Sequence, residues 1–168
     1  MPTTCAVATT PVRFFDFLAH FYFSLVFLTP AFFTITVSGS SKACEVVNEI
    51  AKPEFKARMT VKLAVAGAFH TDFMAPAVAA LEEVLEGVEI KKPKIPVISN
   101  VDAKPHSDPD TIKKLLGTQV TSPVLWENTM DLVLGKDFEE AYELGPGKVT
   151  SGILRRFSKK AKCTNVEV

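Results

Sequence analysis

Residues 66–77 read AGAFHTDFMAPA, and they mark the point where a strand gives way to a helix. Before them, from Met59 to Val65, apolar and polar residues alternate, which is typical of a strand. Gly67 breaks this pattern, so His70 is predicted to lie on a strand-to-helix turn. A histidine displayed on such a turn can act as a general base near neutral pH. Most lone histidines are surface or core residues, so the rest of the sequence has to decide.

The helix after the turn is predicted to begin at Asp72, which can cap it, and to end at Gly87. Five apolar residues recur in it at helical spacing and are expected to be core: Met74, Ala77, Val78, Leu81 and Leu85. Upstream, Ser40 or Ser41 can cap a short helix that Pro53 closes. Its apolar face is expected to hold Ala43, Val46, Val47 and Ile50.

Downstream of the turn, strands and helices alternate, which indicates an α/β architecture with a largely parallel sheet. Residues 94–101 read as a buried strand of that sheet. Asp108 followed by Pro109 is a strong helix start, and this helix is expected to reach about Gln119. The remaining predicted elements are a helix opened by residues 121–123 and stopped at Gly135, a strand at 138–144, a turn at 145–147 and a helix at 148–157.

Composition excludes several classes of function. The formal net charge is zero, whereas bulk nucleic-acid binding would require a basic excess. The three cysteines are scattered and form no CxxC pair, which argues against a disulfide framework and against a metal site. His20 and His106 have no evident partner nearby in sequence and are interpreted as bystanders.

The N-terminal region differs from the rest, because residues 17–37 are uncharged and rich in phenylalanine. Three interpretations compete for this segment. Its length approaches the roughly 20 apolar residues of a membrane span, so residues 14–37 could contact a membrane or act as a signal-like segment. It could instead be a buried core element, although Pro30 would end a helix. The third interpretation is a gene-model error joined to a domain.

Four short segments occur in an order and at spacings that resemble one known family. The segments are GAFHT at 67–71 with Met74, Pro76 and Ala77; PVISNVD at 96–102; QVTSPVLW at 119–126; and ELGPGKV at 143–149 with Gly152. Together they resemble the C-terminal part of the malonyl-CoA:acyl carrier protein transacylases of type II fatty acid synthesis. The resemblance extends from about Val37 to the C-terminus.

The resemblance implies an α/β fold with three parts. Residues 1–36 are the apolar segment of doubtful origin. Residues 37–62 are expected to be a remnant of a small ferredoxin-like subdomain. Residues 63–168 are expected to form part of a parallel-sheet acyltransferase core.

The resemblance also implies a reaction and its site. In the family, a serine on a Gly-His-Ser-Leu-Gly elbow accepts malonyl from CoA and passes it to the phosphopantetheine thiol of the carrier protein, with no cofactor. His70 matches the family's general base. Gln119 matches a position whose backbone carbonyl orients that histidine, and Asn100 is expected near the site. The implied partners are malonyl-CoA and acyl carrier protein, with no nucleic acid.

One departure from the family limits the expected function. No Gly-x-Ser-x-Gly occurs in the 168 residues, so the nucleophile elbow is missing. Because deleting a nucleophile costs on the order of 10⁶-fold in rate, this chain by itself is predicted to be inactive. The alternative is a noncatalytic remnant, or a membrane-tethered module that binds the carrier protein.

Two further expectations concern the C-terminal region and the compartment. Arg155, Arg156, Lys159 and Lys160, with Lys162, form a basic cluster. It is interpreted either as a docking surface for an acidic carrier protein or as the solvated face of a terminal helix. Resemblance to plant and algal members indicates a plastid or a mitochondrion.

Overall fold

The computed structural model describes residues 2–9, 24–28, 33–63, 67–136 and 138–167. Over these residues the chain has an α/β fold. The strands in these ranges are β1 Pro2–Thr9, β2 Ser24–Leu28, β3 Phe33–Ser40, β4 Met59–Leu63, β5 Val97–Ile98, β6 Pro105–His106, β7 Ala141–Leu144 and β8 Cys163–Val166. The α-helices described are α1 Ser41–Ala51, α2 Ala75–Glu86, α3 Pro109–Gln119, α4 Trp126–Leu134 and α5 Val149–Phe157, and a 3₁₀ turn spans Asp72–Met74.

The first four strands form one antiparallel sheet in the order β2-β3-β1-β4. The predicted domain boundary between residues 36 and 37 falls inside β3, and the boundary between 62 and 63 falls inside β4. Two pieces of the apolar segment are therefore strands β2 and β3 of this sheet. The remainder of residues 14–37 lies outside the described residues, and the ferredoxin-like assignment stays a prediction.

Helix α1 packs against β1 and β3 and closes the core of this sheet. Its predicted cap is confirmed, because the Ser40 hydroxyl accepts a hydrogen bond from the Ala43 N–H at 3.2 Å. The face of α1 that is buried in the structure differs from the predicted one by a rotation about the helix axis. The structure buries Cys44, Val47 and Ala51, and leaves Val46 exposed. Residues three and four apart share a helix face, so one row of side chains faces the sheet and its neighbour does not.

Helix α2 differs from its prediction in two respects. The helix begins at Ala75 after the 3₁₀ turn, and Thr71 rather than Asp72 caps that turn. Of the five residues expected in the core, only Leu85 is buried, and Ala77 is exposed. Helix α2 packs against α3 on one side, so its remaining apolar residues are covered only in part.

The strand predicted at residues 94–101 is shorter than expected and pairs differently. Only Val97–Ile98 is extended and paired, and it runs antiparallel to β6 across a tight connection. A connection of this length can join antiparallel strands but not parallel ones, which need a crossover of a dozen or more residues. The parallel pair is instead β7 with β8, joined through α5.

Helix α3 agrees with the sequence. The Asp108 carboxylate accepts a hydrogen bond from the Thr111 N–H at 2.8 Å, and Pro109 occupies the first turn. The turn at 145–147 also agrees, since Gly145 and Gly147 have φ angles of +124° and +93°. Such angles are rarely adopted by residues that carry a Cβ. This turn connects β7 to α5.

Candidate active site

His70 stands on the turn after β4 with a φ angle of +64°, in the left-handed region. This conformation costs free energy in a residue other than glycine, so surrounding contacts must hold it. The first contact is a hydrogen bond from the His70 N–H to the carbonyl oxygen of Val120, at 2.9 Å. The backbone of the turn is thus tied to the segment that follows α3.

The imidazole of His70 is half-buried and is held by two more carbonyls of that segment. Its Nδ1 lies 2.9 Å from the carbonyl oxygen of Gln119 and 3.1 Å from that of Ser122. A carbonyl oxygen can only accept, so Nδ1 carries the proton and donates to both. In the neutral ring, Nε2 then has its lone pair available to take a proton.

Thr71 stabilises the turn from within. Its buried hydroxyl donates to the carbonyl oxygen of Ala68 at 2.6 Å and accepts from the Phe73 N–H at 3.2 Å. The Met74 N–H donates to the Thr71 carbonyl oxygen at 3.0 Å, which starts the 3₁₀ turn. The position of His70 therefore depends on a side chain that the sequence analysis did not single out.

The sequence predicted Gln119 next to His70 but missed Val120 and Ser122. The sequence predicts the start of a helix at residues 121–123, whereas α4 begins at Trp126. The residue before a proline is disfavoured in the helical conformation, so Ser122 before Pro123 keeps the segment out of a helix. Its carbonyl oxygen is consequently available to His70. The sequence signal that could have shown this is the Ser-Pro pair itself.

Asn100 follows β5 and reaches the same segment at two points. Its carbonyl oxygen accepts from the Leu125 N–H at 2.8 Å. Its side-chain Nδ2 donates to Oε1 of Gln119 at 3.4 Å. The structure therefore brings His70, Gln119 and Asn100 into one connected set of hydrogen bonds, with Asn100 joined to His70 through Gln119.

His106, interpreted from the sequence as a bystander, has a partner after all. Its Nε2 lies 2.9 Å from Oδ2 of Asp102, which is four residues away on the β5–β6 connection. Partial burial raises the pKa of Asp102, but hydrogen bonds from His106 and from the Lys104 N–H outweigh it and hold that pKa below its ordinary value. The sequence interpretation missed the pair because it took no account of the turn, which brings residues 102 and 106 together.

The basic cluster is exposed on the last turn of α5 and the residues that follow it. Arg155 and Arg156 lie in that last turn, where a positive charge favours the helix dipole, and Lys159 and Lys160 are also exposed. The hydrogen bonds of His70 described above involve no residue of this cluster. The structure is compatible with both interpretations of this cluster.

The other end of α5 is fixed by Glu143 of β7. Its Oε1 accepts from the Thr150 N–H at 2.8 Å and its Oε2 from the Ser151 N–H at 2.9 Å. The hydrogen bonds from Ser151 and Thr150 outweigh residual desolvation and lower the pKa of Glu143 from its ordinary 4.5 to about 2. A carboxylate on the first N–H groups of a helix is favoured by the helix dipole.

Among the residues that the structure describes, no group of three or more histidine, cysteine or acidic side chains is placed to hold a metal ion. In the same part of the chain, no helix is both long enough and apolar enough to cross a bilayer.

No protein-family model matches the chain, but individual relatives do. It is 38% identical over 76% of its length to the malonyl CoA-acyl carrier protein transacylase of Bacillus subtilis. It is 40% identical over 74% of its length to the human mitochondrial malonyl-CoA-acyl carrier protein transacylase. By sequence, the chain is related to the malonyl-CoA-acyl carrier protein transacylases.

Solved structures agree with this relationship. An acyl carrier protein S-malonyltransferase from Vibrio cholerae superposes with a TM-score of 0.85 at 29% identity, covering 99% of this chain and 56% of that one. A malonyl-transacylase in complex with its type II polyketide acyl carrier protein gives a TM-score of 0.86 at 27% identity, covering 98% and 54%.

The chain spans only part of these proteins. It matches 40% of the Bacillus subtilis sequence and 33% of the human one. This share is consistent with the prediction that the chain corresponds to the C-terminal portion of a malonyl transacylase.

Proposed function

We propose that this chain provides the general-base part of a malonyl-CoA:acyl carrier protein transacylase of fatty acid synthesis. The observation that carries the proposal is that Nδ1 of His70 is hydrogen-bonded to the carbonyl oxygens of Gln119 and Ser122. The chain that holds the histidine in this way is related in sequence to those enzymes. This contact leaves Nε2 as the proton acceptor, which is the state that a general base requires. Gln119 orients the ring through its backbone, as an aspartate does in a triad.

The proposed reaction has two steps and uses malonyl-CoA and the phosphopantetheinyl carrier protein as substrates, without a cofactor. A serine hydroxyl attacks the malonyl thioester, His70 Nε2 takes its proton, and the proton passes to the departing CoA thiolate. The thiol of the carrier protein then attacks the malonyl-serine ester. His70 takes the thiol proton and returns it to the serine oxygen. Each step breaks one acyl bond and forms another, so atoms and charge balance.

The serine is the missing component. Because the 168 residues contain no Gly-x-Ser-x-Gly, we infer that the nucleophile belongs to the part of the family fold that this chain does not match. The chain by itself should therefore transfer malonyl no faster than background. Transfer from CoA to carrier protein by the purified 168-residue chain would contradict this inference.

A chimera tests the general base directly. In the chimera, the part of this chain that aligns with the Bacillus subtilis relative replaces the corresponding part of that relative. The rest of the chimera keeps the Bacillus subtilis sequence. We expect the chimera to transfer malonyl, and His70→Ala in the chimera to lower kcat/KM by about 10²–10⁴-fold. Asn165→Ala, which removes side-chain hydrogen bonds to the carbonyl oxygens of Glu143 and Gly145, is the control and should preserve the rate. A chimera that folds and is equally active with His70→Ala would refute the proposal.

We further propose that the basic cluster docks the acidic carrier protein. Arg155 and Arg156 are exposed at the end of a helix that Glu143 fixes, so their charges are presented on a rigid element. We expect the double charge reversal Arg155→Glu and Arg156→Glu to weaken carrier-protein binding, and high salt to weaken the wild type. Salt-insensitive binding, or binding that survives the reversal, would favour the solvated-face interpretation.

A noncatalytic role is the second candidate, favoured by the lack of the serine motif. In that role the chain would bind the carrier protein, with or without membrane contact through residues 14–37, and would carry no chemistry. Carrier-protein binding by the chain, combined with an inactive chimera, would support it. For the compartment we propose the mitochondrion over the plastid, because the human and mouse relatives are named as mitochondrial.

A further inference from the structure

We propose that Asn100 is a positioning residue that keeps the proton of His70 on Nδ1. The inference rests on the proposed function only in giving that proton position a purpose. Asn100 does not contact the imidazole, so any influence on it must pass through the segment from Gln119 to Leu125.

That segment supplies every carbonyl that holds His70 in the contacts described above. Gln119 and Ser122 bind the ring, and Val120 binds the backbone N–H. Three hydrogen bonds from one short segment act together only if the segment keeps its shape. A shift of one carbonyl would weaken its bond to Nδ1, because hydrogen bonds weaken steeply with distance and angle.

The near end of the segment is the last turn of α3. The Val120 N–H donates to the Gly117 carbonyl oxygen at 3.2 Å, and the Ser122 N–H donates to the Thr118 carbonyl oxygen at 3.1 Å. These bonds orient the backbone from the helix side. They place no constraint on residues 123–125, where Pro123 has no N–H to donate.

Asn100 provides a constraint at both ends. Its backbone carbonyl binds Leu125 at the far end, and its side-chain amide binds the Gln119 side chain at the near end. Asn100 itself is fixed, because the β5–β6 connection is closed by the Ser99 N–H to the Lys104 carbonyl at 3.0 Å and by the Asp102–His106 pair. A rigid hairpin thus holds the segment that holds His70.

A cavity lies beside the hydrogen bond between the Asn100 and Gln119 side chains, and it gives Gln119 room to move if that hydrogen bond is lost. Asn100 and Gln119 both line a cavity of about 100 Å³ between β5 and α3, together with apolar residues such as Ile98 and Leu115. Gln119 therefore has space to leave its present rotamer. Without Asn100 Nδ2 as a partner, we expect the Gln119 side chain to turn into the cavity and its backbone carbonyl to lose alignment with Nδ1.

The test measures the tautomer of His70 in the full chain by imidazole ¹⁵N chemical shifts. In the wild type, the neutral ring should be mainly the Nδ1–H form. Asn100→Ala should raise the ratio of the Nε2–H form to the Nδ1–H form by about 2–10-fold, as expected for weakening one hydrogen bond. Gln119→Ala, which keeps the backbone carbonyl, should have the same effect. The double variant should change the tautomer ratio no more than either single variant, because both substitutions remove the same hydrogen bond.

Two controls separate positioning from general destabilisation. Asn100→Asp should retain the wild-type ratio, because the Gln119 amide can rotate and donate to the carboxylate. Asn165→Ala removes amide contacts of 3.1 and 3.4 Å to carbonyl oxygens on the β7 turn and should leave His70 unchanged. If Asn100→Ala does not fold, the Gln119→Ala variant carries the same prediction.

An unchanged ratio in folded Asn100→Ala or Gln119→Ala would overturn the inference, as would an equal change in Asn165→Ala. The readout does not depend on malonyl transfer. An inactive chimera with the expected tautomer shifts would count against the proposed function alone. An active chimera with no shift would count against the role of Asn100 alone.

Discussion

At the scale of single residues, the site is built from one residue with a strained backbone and the hydrogen bonds that hold it. His70 adopts a left-handed backbone, and Thr71 next to it is buried and makes two hydrogen bonds. The sequence predicted His70 and Gln119 from a family motif. It did not predict the buried hydroxyl of Thr71 or the carbonyl of Val120, because side-chain burial and carbonyl direction follow from packing and backbone angles and leave little trace in residue type.

Thr71→Val is the residue-scale prediction. The change removes a buried hydroxyl and leaves the Ala68 carbonyl oxygen and the Phe73 N–H without their partner. We expect the free energy of unfolding to fall by about 1–3 kcal/mol, measured by urea denaturation. Thr118→Val removes an exposed hydroxyl that donates to the Lys114 carbonyl at 3.0 Å, and it should be nearly neutral. Equal effects in the two variants would mean that the Thr71 contacts do not stabilise the turn.

At the scale of elements, the sequence was most accurate where a local signal sets an end. Ser40, Asp108 and Gly135 fix helix boundaries through caps that depend on a few neighbouring atoms. Which residues are buried depends on what packs against each element, and here, among the predicted core residues of α1 and α2, only Val47 and Leu85 are buried. Strand pairing was harder still, since β5 and β6 are too short to show a pattern and β8 was not predicted.

Glu143→Gln is the element-scale prediction and concerns pH. The folded protein lowers the pKa of Glu143 to about 2, so its carboxylate stabilises α5 above the ordinary pKa of 4.5. This contribution is lost as the pH falls from about 4.5 to about 2, because protonation then becomes easier in the unfolded chain. The variant should lose that part of the pH dependence of unfolding. Glu139→Gln, which removes a charge in the same region, should retain it, and a variant profile like that of the wild type would contradict the assignment.

At the scale of the whole molecule, apolar surface is exposed along the edge of the first sheet. Strand β4 ends the order β2-β3-β1-β4, and Met59 and Val61 on it are 55% and 40% exposed. An exposed apolar edge strand is a template for pairing with another chain. The alternation that predicted β4 was correct, and it places Met59 and Val61 on one apolar face, which is exposed in this structure.

The whole-molecule prediction follows from that edge. The isolated chain should self-associate with increasing concentration, and the double variant Met59→Lys and Val61→Lys should shift it toward monomer in analytical ultracentrifugation. Val84→Lys changes a side chain that is 64% exposed on helix α2 and not on a strand, and is the control. A sharp, reversible thermal transition of a monomeric wild-type protein would show that the β4 edge does not cause self-association.

The central position of β1 has a consequence for how the protein forms. This strand lies between β3 and β4, so its two neighbours are made later than itself. A ribosome adds about 5–20 residues each second, so β1 spends seconds without the partner at residues 59–63. The sheet can close only after that last strand emerges, and pairing across such a separation is slow. Until residues 59–63 have been made, the backbone edge of β1 that pairs with them is open to other strands.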